Sequence, residues 1–514
     1  MPNRTYAFGA FVVGLACVVG LAGPADAQSR DETIVYGIQS DIQTYDPHDH
    51  ILREGIIIGY HIFDNLLVRD MATGKVGPHV ATSWKLVDPL TWEFKLRTDV
   101  VFHNGEKLTA RTVKFNFDRL LNPENKLPQR ANHAAIKSVE VVDDSTVRFK
   151  TEKPYPIMLE RLTQLQLIPE AYFKDKGKEY IAEHPIGTGP YKFVSWKKKQ
   201  EHQWVRNDSY WGPKPAFKSA RVRIIPEPAV QIAELLSGGV DLIKAVAPDQ
   251  ISVINGSGVA RTTSSSILRT AFIQLDSLGK GGKNPFQDKR VREAVNHAVN
   301  IDGIIKHVLS GEADRTATAV NPMAFGYDPS IKPREYNPEK AKKLLAEAGY
   351  PNGFEVRLRH GLSVVEPGES QTTEAIAADL AKVGIRVKLD LLGEVGPYVT
   401  QVKEGKAGPM FAWSWGYYSV FDADAILWDI FHCGEVWAYY CNTELDKLIE
   451  EGRATIDPAK RKEIYSKAQK ILHDDAAHLW KWGLHGIWGV SNRMEYKAPF
   501  DEIDRLFVAT PRKR

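Results

Sequence analysis

Side chains that could bind a metal are concentrated at one point near the start of the sequence. His48, Asp49 and His50 are consecutive, and His61 follows them. Histidine nitrogens and carboxylate oxygens are common ligands of transition metals. The spacing of these four residues nevertheless matches no defined metal motif. The sequence therefore predicts neither a bound metal nor a cofactor here.

Three other groups of residues resemble phosphate-binding or catalytic motifs but lack essential parts of them. Gly187-Thr188-Gly189-Pro190 has the glycines of a phosphate loop, but Pro190 lacks an amide hydrogen and no Gly-Lys-Ser/Thr follows, which favours a turn before the strand YKFVSW. His473 and His478 are five residues apart and would not share a helix face, as a zinc-protease pair must. Ser363 has no identifiable base, and the sequence contains no Gly-x-Ser-x-Gly motif. We therefore predict that the protein is not an enzyme.

Residues 1–27 have the pattern of a cleaved secretory signal. Arg4 is basic, Phe8–Leu21 is largely apolar, and Ala25-Asp26-Ala27 has the small residues of a cleavage site. The apolar run is too short to span a bilayer. Lipidation would have to use Cys17, which lies too early in the apolar run. The predicted mature protein is free in the periplasm.

Cys433 and Cys441 are the only cysteines that follow the predicted leader. An even pair in an oxidising compartment is a candidate disulfide. Two free buried thiols are the alternative, and a metal pair would need further ligands nearby.

The length and net charge of the chain limit the number of domains and the kinds of partner that can be expected. A mature chain of about 490 residues is too long for one core and should form two or three domains. The formal net charge is +3 over 514 residues. The basic runs, Lys197–Lys199 and Arg512–Arg514, are short and typical of solvated surface, so no nucleic-acid partner is predicted.

Strands and helices alternate along the chain. Residues 91–97 (TWEFKLR) alternate apolar and charged side chains, which predicts a strand. Thr109 can cap the helix that follows, and Asn337-Pro338 can begin another that ends near Gly349. Further segments are predicted as a strand at 354–358, a helix at 374–382, a strand at 385–391 and a helix behind a possible Asp288 cap. This is βαβ-like material of an α/β protein.

The run ATSWKLVDPLTWEFKLRTDVVFHNGEKLTARTVKFNFDR, residues 81–119, closely resembles the signature region of the peptide/nickel family of periplasmic solute-binding proteins, the receptors of ABC importers. The segments 184–196, 207–218, 291–311, 336–354 and 378–385 also resemble blocks of that family, in the family's order. The resemblance thus extends along nearly the whole predicted mature chain.

This resemblance implies an α/β bilobal periplasmic-binding-protein fold with an extra inserted domain. It places lobe I in residues 28–60, 185–275 and 487–514, the inserted domain in 61–184 and lobe II in 276–486. It also implies a monomer that captures a small peptide or peptide-like solute by lobe closure and docks transiently on inner-membrane permease subunits. Members similar to the dipeptide-binding proteins carry a cysteine pair at this point, which favours the disulfide.

An aromatic region, Met410–Cys441, should determine the ligand. Phe411, Trp413 and Trp415 alternate along a predicted strand, and ligands of open α/β lobes bind beyond the carboxyl ends of strands. Core packing is the simpler role for Phe411 and Trp413, although Trp413 is kept as a candidate contact. Trp415, Tyr417 and Tyr418 are predicted to face the cleft, and Tyr45 is a further candidate.

The charged clamp of the family's dipeptide receptors is missing from this sequence. Those proteins hold the peptide ends with an aspartate after the corresponding strand and an arginine before the helix that ends in AKVGI. Here the two positions fall at Gly416 or Tyr417 and near Ser363. The nearest substitutes are Asp422, Asp424 and Arg359. The ligand could therefore be a modified or longer peptide, an opine-like conjugate, an oligosaccharide or a metal chelate. A secreted enzyme or a partner-only sensor on the same scaffold is the remaining alternative.

Overall fold

The computed structural model describes residues 29–361, 363, 366–417 and 420–512. The predicted leader and Tyr418 lie outside these residues. The described chain is a mixed α/β protein, as predicted.

The strands are β1 Thr33–Ile38, β2 Leu67–Arg69, β3 Val76–Pro78, β4 Ala81–Asp88, β5 Thr91–Leu96, β6 Ile136–Asp143, β7 Thr146–Thr151, β8 Tyr191–Lys197, β9 Glu201–Arg206, β10 Ser219–Ile224, β11 Leu242–Ile243, β12 Ala260–Leu275, β13 Ala313–Arg315, β14 Phe354–His360, β15 Ile385–Leu391, β16 Met410–Trp415, β17 His478–Ser491, β18 Met494–Glu495 and β19 Thr510–Pro511. The α-helices are α1 Arg53–Ile62, α2 Ala110–Leu121, α3 Arg130–His133, α4 Met158–Arg161, α5 Glu170–Ile181, α6 Pro228–Ser237, α7 Ile251–Gly256, α8 Lys289–Ala298, α9 Ile301–His307, α10 Pro338–Glu347, α11 Glu369–Ala381, α12 Val395–Lys403, α13 Asp424–Ile426, α14 Thr443–Ala454 and α15 Pro458–Asp474.

One long mixed sheet holds most of these strands, in the order β15-β14-β16-β12-β17-β11-β1-β10-β9-β8. One half contains β14 to β16 from the second part of the chain, and the other contains β1 and β8 to β11. The long strands β12 and β17 pair antiparallel and belong to both halves. Their register runs from Ala260 opposite Ser491 to Gln274 opposite His478, with shifts between Ser266 and Thr270 and between Ala271 and Phe272.

A separate antiparallel sheet, β4-β5-β7-β6, covers residues within 81–151. It packs against α2, and Phe94, Phe117 and Phe149 are fully buried between them. This sheet lies inside the predicted inserted domain of residues 61–184. The exact boundaries of that domain and of the two lobes remain a prediction.

The first and last parts of the chain are joined by a buried aspartate. Asp241 is fully buried and accepts hydrogen bonds from Arg30 Nη1 at 2.7 Å and from Arg493 Nη2 at 2.6 Å. It also accepts from the backbone amide of Val35 in β1 at 2.8 Å. One carboxylate therefore fixes the segment before β1 against the segment after β17.

The local sequence predictions agree closely with these elements. Thr109 begins α2 through a capping box with Thr112, and the Asn337 side chain accepts from the Lys340 amide at the start of α10. Asp288 caps α8 in the same way. The helix predicted at 374–382 instead begins at Glu369, because Gly368 adopts a left-handed conformation and supplies the N-cap.

The segment Gly187–Pro190 is a turn packed against the end of α1. The Gly189 amide donates to the Ile62 carbonyl at 2.9 Å, and the Thr188 hydroxyl donates to Asp64 at 2.9 Å. A Cβ atom on Gly187 would lie 1.9 Å from the Ile62 carbonyl oxygen. Glycine is required here for a close approach of two backbones rather than for binding a phosphate.

We expect Gly187→Ala to lower the free energy of unfolding by about 1 to 3 kcal/mol, the usual cost of forced overpacking. The matched control is Gly396→Ala in α12, where an added Cβ meets no atom within 4 Å. Alanine should stabilise that helix by about 0.5 to 1 kcal/mol. Urea unfolding of both variants measures the difference, and equal stabilities would contradict the packed turn.

Candidate ligand-binding site

Strand β16 ends at the wall of a cavity. It lies between β14, with which it is parallel, and β12, with which it is antiparallel. Its last residue, Trp415, is 6% exposed, and its indole Nε1 donates to the Ala425 carbonyl at 3.0 Å. The indole is thus held by the segment that follows the strand.

The cavity has a volume of about 780 Å³, within the range of small-molecule sites. Trp415, Trp428 and Trp437 line one side. Residues of the predicted inserted domain line the other, among them Tyr155 and Arg161. The space is therefore lined both by the aromatic region and by residues 128–161, which lie in the predicted inserted domain.

A π-helical turn, Leu427–Phe431, supplies Trp428 and Asp429 to the cavity. Such turns are rare and occur often at functional sites. The Arg453 guanidinium lies 3.7 Å from the centroid of the Trp428 ring and is also paired with Asp424, with an Nε to Oδ1 distance of 2.9 Å. Trp428 is therefore fixed by a cation on its face.

The third tryptophan is carried by a short cross-linked loop. The sulfur atoms of Cys433 and Cys441 lie at bonding distance, and their Cα atoms are 4.9 Å apart. Trp437 lies between them in sequence, and its ring centroid is 5.7 Å from that of Trp415. Lys403 Nζ lies 5.0 Å from the Trp437 centroid. The loop thus presents an indole to the cavity at a fixed distance from β16.

Two charges of the cavity wall have no ionic partner among the described residues. Arg161 is 9% exposed, and its Nε and Nη1 atoms are buried without a hydrogen-bond partner. Asp429 makes no hydrogen bond or ion pair within the described part of the chain. Burial raises the pKa of Asp429 to about 7, and the nearby Asp424 acts in the same direction, whereas Arg161 and Arg453 lower it.

The other predicted aromatic contacts are packed inside the protein. The Tyr417 hydroxyl donates to the Ala319 carbonyl at 2.7 Å and accepts from the Asn321 amide at 2.8 Å, and burial raises its pKa. Trp413 is 4% exposed, and its ring lies behind Trp437, with centroids 5.5 Å apart. Tyr45 is buried, with its hydroxyl 2.7 Å from His202 Nδ1.

The predicted substitutes for the charged clamp are already paired inside the protein. Asp422 accepts two hydrogen bonds of 2.9 Å from Arg461, yet burial still raises its pKa to about 6. Asp424 is paired with Arg453 as described. Arg359 donates to Asp390 at 3.0 and 2.8 Å. Of the predicted contacts that the structure describes, Trp415 is the one that lines the tryptophan cavity.

Larger and smaller spaces also exist, and several of the charged residues that line them are paired with each other. A cleft of about 1250 Å³ is lined by Asp422 and Arg461, which pair with each other, and by Arg69, which is bonded to Glu160. A small cavity of about 110 Å³ is lined by Arg53 and Arg269, which both face Glu502. The tryptophan cavity differs from both spaces in its wall of three indoles, since each of the other two is lined by a single tryptophan.

The histidine group near the start of the chain does not converge on one point. His48 Nδ1 lies 2.7 Å from Arg119 Nη1, and its Nε2 lies 3.0 Å from the Gln166 carbonyl oxygen. Burial and Arg119 lower the pKa of His48 to about 3, so the imidazole is neutral: its Nδ1 accepts from Arg119 and its Nε2 donates to the Gln166 carbonyl. His61 is stacked on Trp204, with ring centroids 4.8 Å apart.

Comparison with known proteins gives the family. The model of bacterial extracellular solute-binding proteins, family 5 (middle), matches residues 75–437. The chain belongs to this family. Heme-binding protein A of Haemophilus influenzae is 29% identical over 451 residues, which cover 81% of this chain and 80% of that protein. The dipeptide-binding protein of Escherichia coli is also 29% identical over 451 residues and covers 81% and 83%.

A solved structure shows the same fold. The periplasmic binding protein DppA from Helicobacter pylori, in complex with the peptide STSA, aligns with a TM-score of 0.78 and 26% identity. The alignment covers 94% of this chain and 98% of that one. The bilobal α/β architecture of family 5 predicted from the sequence is thereby confirmed. Within the described ranges, no helix has the length and apolar character needed to cross a bilayer.

We expect Asp429→Asn to stabilise the unliganded protein at neutral pH. A carboxyl whose native pKa is raised binds more protons when folded than when unfolded, so its ionisation destabilises the fold as pH rises from about 4 to about 7. The amide removes this cost, so the melting temperature of the variant should exceed that of the parent at pH 8 and approach it near pH 4.

The control for this pH series is Glu450→Gln. Glu450 lines the same cavity but is exposed at its rim. Its melting temperature should follow that of the parent at every pH. A constant offset for Asp429→Asn, independent of pH, would contradict the buried-carboxylate explanation.

Proposed function

We propose that the protein is the extracytoplasmic receptor of an ABC importer and captures a small peptide or peptide-like solute in the tryptophan cavity. Closure of the two halves of the long sheet around the ligand would present the complex to membrane permease subunits, a hinge motion common in periplasmic binding proteins. The relatives support this class of ligand, since one is a dipeptide-binding protein and another was solved with the peptide STSA.

The observation that carries this proposal is the composition of the cavity wall. Trp415, Trp428 and Trp437 offer flat apolar surfaces for side chains. Arg161 and Asp429 add one charge of each sign without a partner in the described chain. A peptide carries apolar side chains together with an ammonium and a carboxylate, so the wall and such a ligand are complementary.

The cavity also explains how affinity is obtained without the charged clamp of dipeptide receptors. Stacked aromatic pairs contribute about 0.5 to 1.5 kcal/mol beyond the burial of apolar area. Three indoles on one wall can therefore replace much of the affinity that two charge-assisted hydrogen bonds would give. We propose Trp415 as the central contact, with Trp428 and Trp437 beside it.

We expect a peptide ligand to raise the melting temperature without being consumed. At a concentration of about 100 times Kd, the added stability is about 2.7 kcal/mol. A tripeptide library screened by thermal shift, with mass analysis of the peptides before and after, measures both quantities. Consumption of peptide without saturable stabilisation would exclude the receptor role, and native mass spectrometry of protein purified without refolding would identify a retained ligand directly.

We expect Trp437→Ala to weaken binding of the best library peptide by roughly tenfold or more, because it removes an indole from the cavity wall. Trp437 is only partly buried, so the fold should be retained, whereas the buried Trp415 would cost about 3 to 5 kcal/mol of stability on truncation. The control is Trp92→Ala, a partly buried tryptophan in the larger cleft. Equal loss of affinity in both variants would exclude the tryptophan cavity as the site.

We also propose export through a cleaved leader and a disulfide between Cys433 and Cys441 in the mature protein. The positions of the two sulfur atoms support the pairing, and the family description is of extracellular proteins. Because the loop closed by the pair carries Trp437, the disulfide would hold one wall of the cavity.

The double variant Cys433→Ser with Cys441→Ser should lose somewhat less than about 3 kcal/mol of stability, the value for a longer loop of about 15 residues. Affinity for the library peptide should fall as well, because Trp437 is no longer fixed. Alkylation of unfolded, unreduced periplasmic protein should modify no thiol. Two alkylated cysteines would show that the disulfide does not form.

A further inference from the structure

We infer that Arg161 and Asp429 recognise the two charged ends of the ligand: Arg161 binds its carboxylate, and Asp429 binds its ammonium group. This inference rests on the proposed function and narrows the ligand to zwitterionic, peptide-like solutes. The two residues would perform the task of the dipeptide clamp from different positions in the chain.

Arg161 differs from most of the buried arginines in the described chain. Arg119, Arg461 and Arg505 are similarly buried, and each donates to a carboxylate: Asp46, Asp422 and Asp501 respectively. Arg161 has no carboxylate, and two of its nitrogens lack any hydrogen-bond partner in the described chain. A buried guanidinium without an anion costs several kcal/mol, because its desolvation is not compensated. A ligand carboxylate in the cavity would supply the missing partner, and the guanidinium fork suits two parallel hydrogen bonds.

The other basic residues of the cavity wall are less available to bind a ligand carboxylate. Arg453 is paired with Asp424 and lies over the Trp428 ring. The Lys403 ammonium lies over Trp437. Lys153 is exposed at the rim, where water screens its charge. Arg161 is therefore the cation in this wall with buried, unused donors.

Asp429 provides the negatively charged group from another part of the chain. It lies in the π-helical turn and lines the same cavity; it forms no direct ion pair with Arg161, although that guanidinium lowers its pKa. The two charges thus line the same cavity without direct contact, together with the three indoles. Because Arg161 belongs to the inserted domain and Asp429 follows β16, a ligand held by both joins the two sides of the cavity. A neutral solute could stack on the indoles but would leave both charges unpaired.

The test uses one tripeptide, the strongest binder of the library, in three forms: free, C-terminally amidated and N-terminally acetylated. The parent protein should bind the free form ten- to hundredfold more tightly than either modified form, as measured by calorimetry. Arg161→Gln should bind the free and amidated forms equally but still discriminate against acetylation. Asp429→Asn should show the reverse pattern. Lys153→Gln, which removes a positive charge from the same wall, should keep both preferences.

The unliganded variants give a second, independent measurement. At pH 5, where Asp429 with its pKa of about 7 is protonated and Arg161 has no anion to stabilise, Arg161→Gln should not lower the melting temperature of the free protein. A marked fall at that pH would show that the residue is structural. Arg161→Lys should retain part of the preference for the free carboxylate. If the parent binds the free and modified forms equally, this inference is wrong while the proposed receptor function stands. If no form of any library peptide binds, both are wrong.

Discussion

The pairing of β12 with β17 is the constraint on which the rest of the structure depends. The two strands are hydrogen-bonded from Ala260 and Ser491 at one end to Gln274 and His478 at the other. Strands β11 and β16 attach to them at opposite ends, and each brings one half of the long sheet with it. The ladder is irregular only near its middle, between Ser266 and Thr270 and just beyond. In the proposed closure, bending between the halves should concentrate at these register shifts, which leaves the regular ladder on either side intact.

The position of the tryptophan cavity depends indirectly on the pairing of β12 with β17. Strand β16 is held by β12, and its end fixes Trp415, against which the cross-linked loop places Trp437. The π-helical turn adds Trp428 and Asp429 from the same stretch of about 30 residues. Arg161 comes from α4, which follows the separate sheet β4-β5-β7-β6 in the chain. In the proposed site, a ligand of mixed charge would contact Asp429 after β16 and Arg161 after β7, and so connect two distant parts of the chain.

Sequence patterns predicted the local elements well, because their determinants are local. The caps at Thr109, Asp288 and Asn337 and the strands 385–391 and 410–415 depend on residues within a few positions of each other. The site was predicted only in part. Trp428 and Trp437 belong to the aromatic region Met410–Cys441, which the sequence already indicated as the ligand-determining region. The position of Trp437 between the two cysteines could have singled it out as a residue held in place by the closed loop. Arg161 has no signal in the sequence, because an arginine without a partner is recognised only when its surroundings are known. For the same reason Asp422, Asp424 and Arg359 could not be identified in advance as internally paired.

The contact of Asp241 with Arg30 and Arg493 has a consequence for the order in which the chain can fold. Domains usually fold as units while synthesis proceeds from the N-terminus. Here the half of the sheet that contains β1 also requires β17 and Arg493, which are made last. Until then Asp241 lacks one of its two cations, and β11 lacks β17 as its neighbour. The two halves of the long sheet can therefore be joined only late in translation, after β17 has been made.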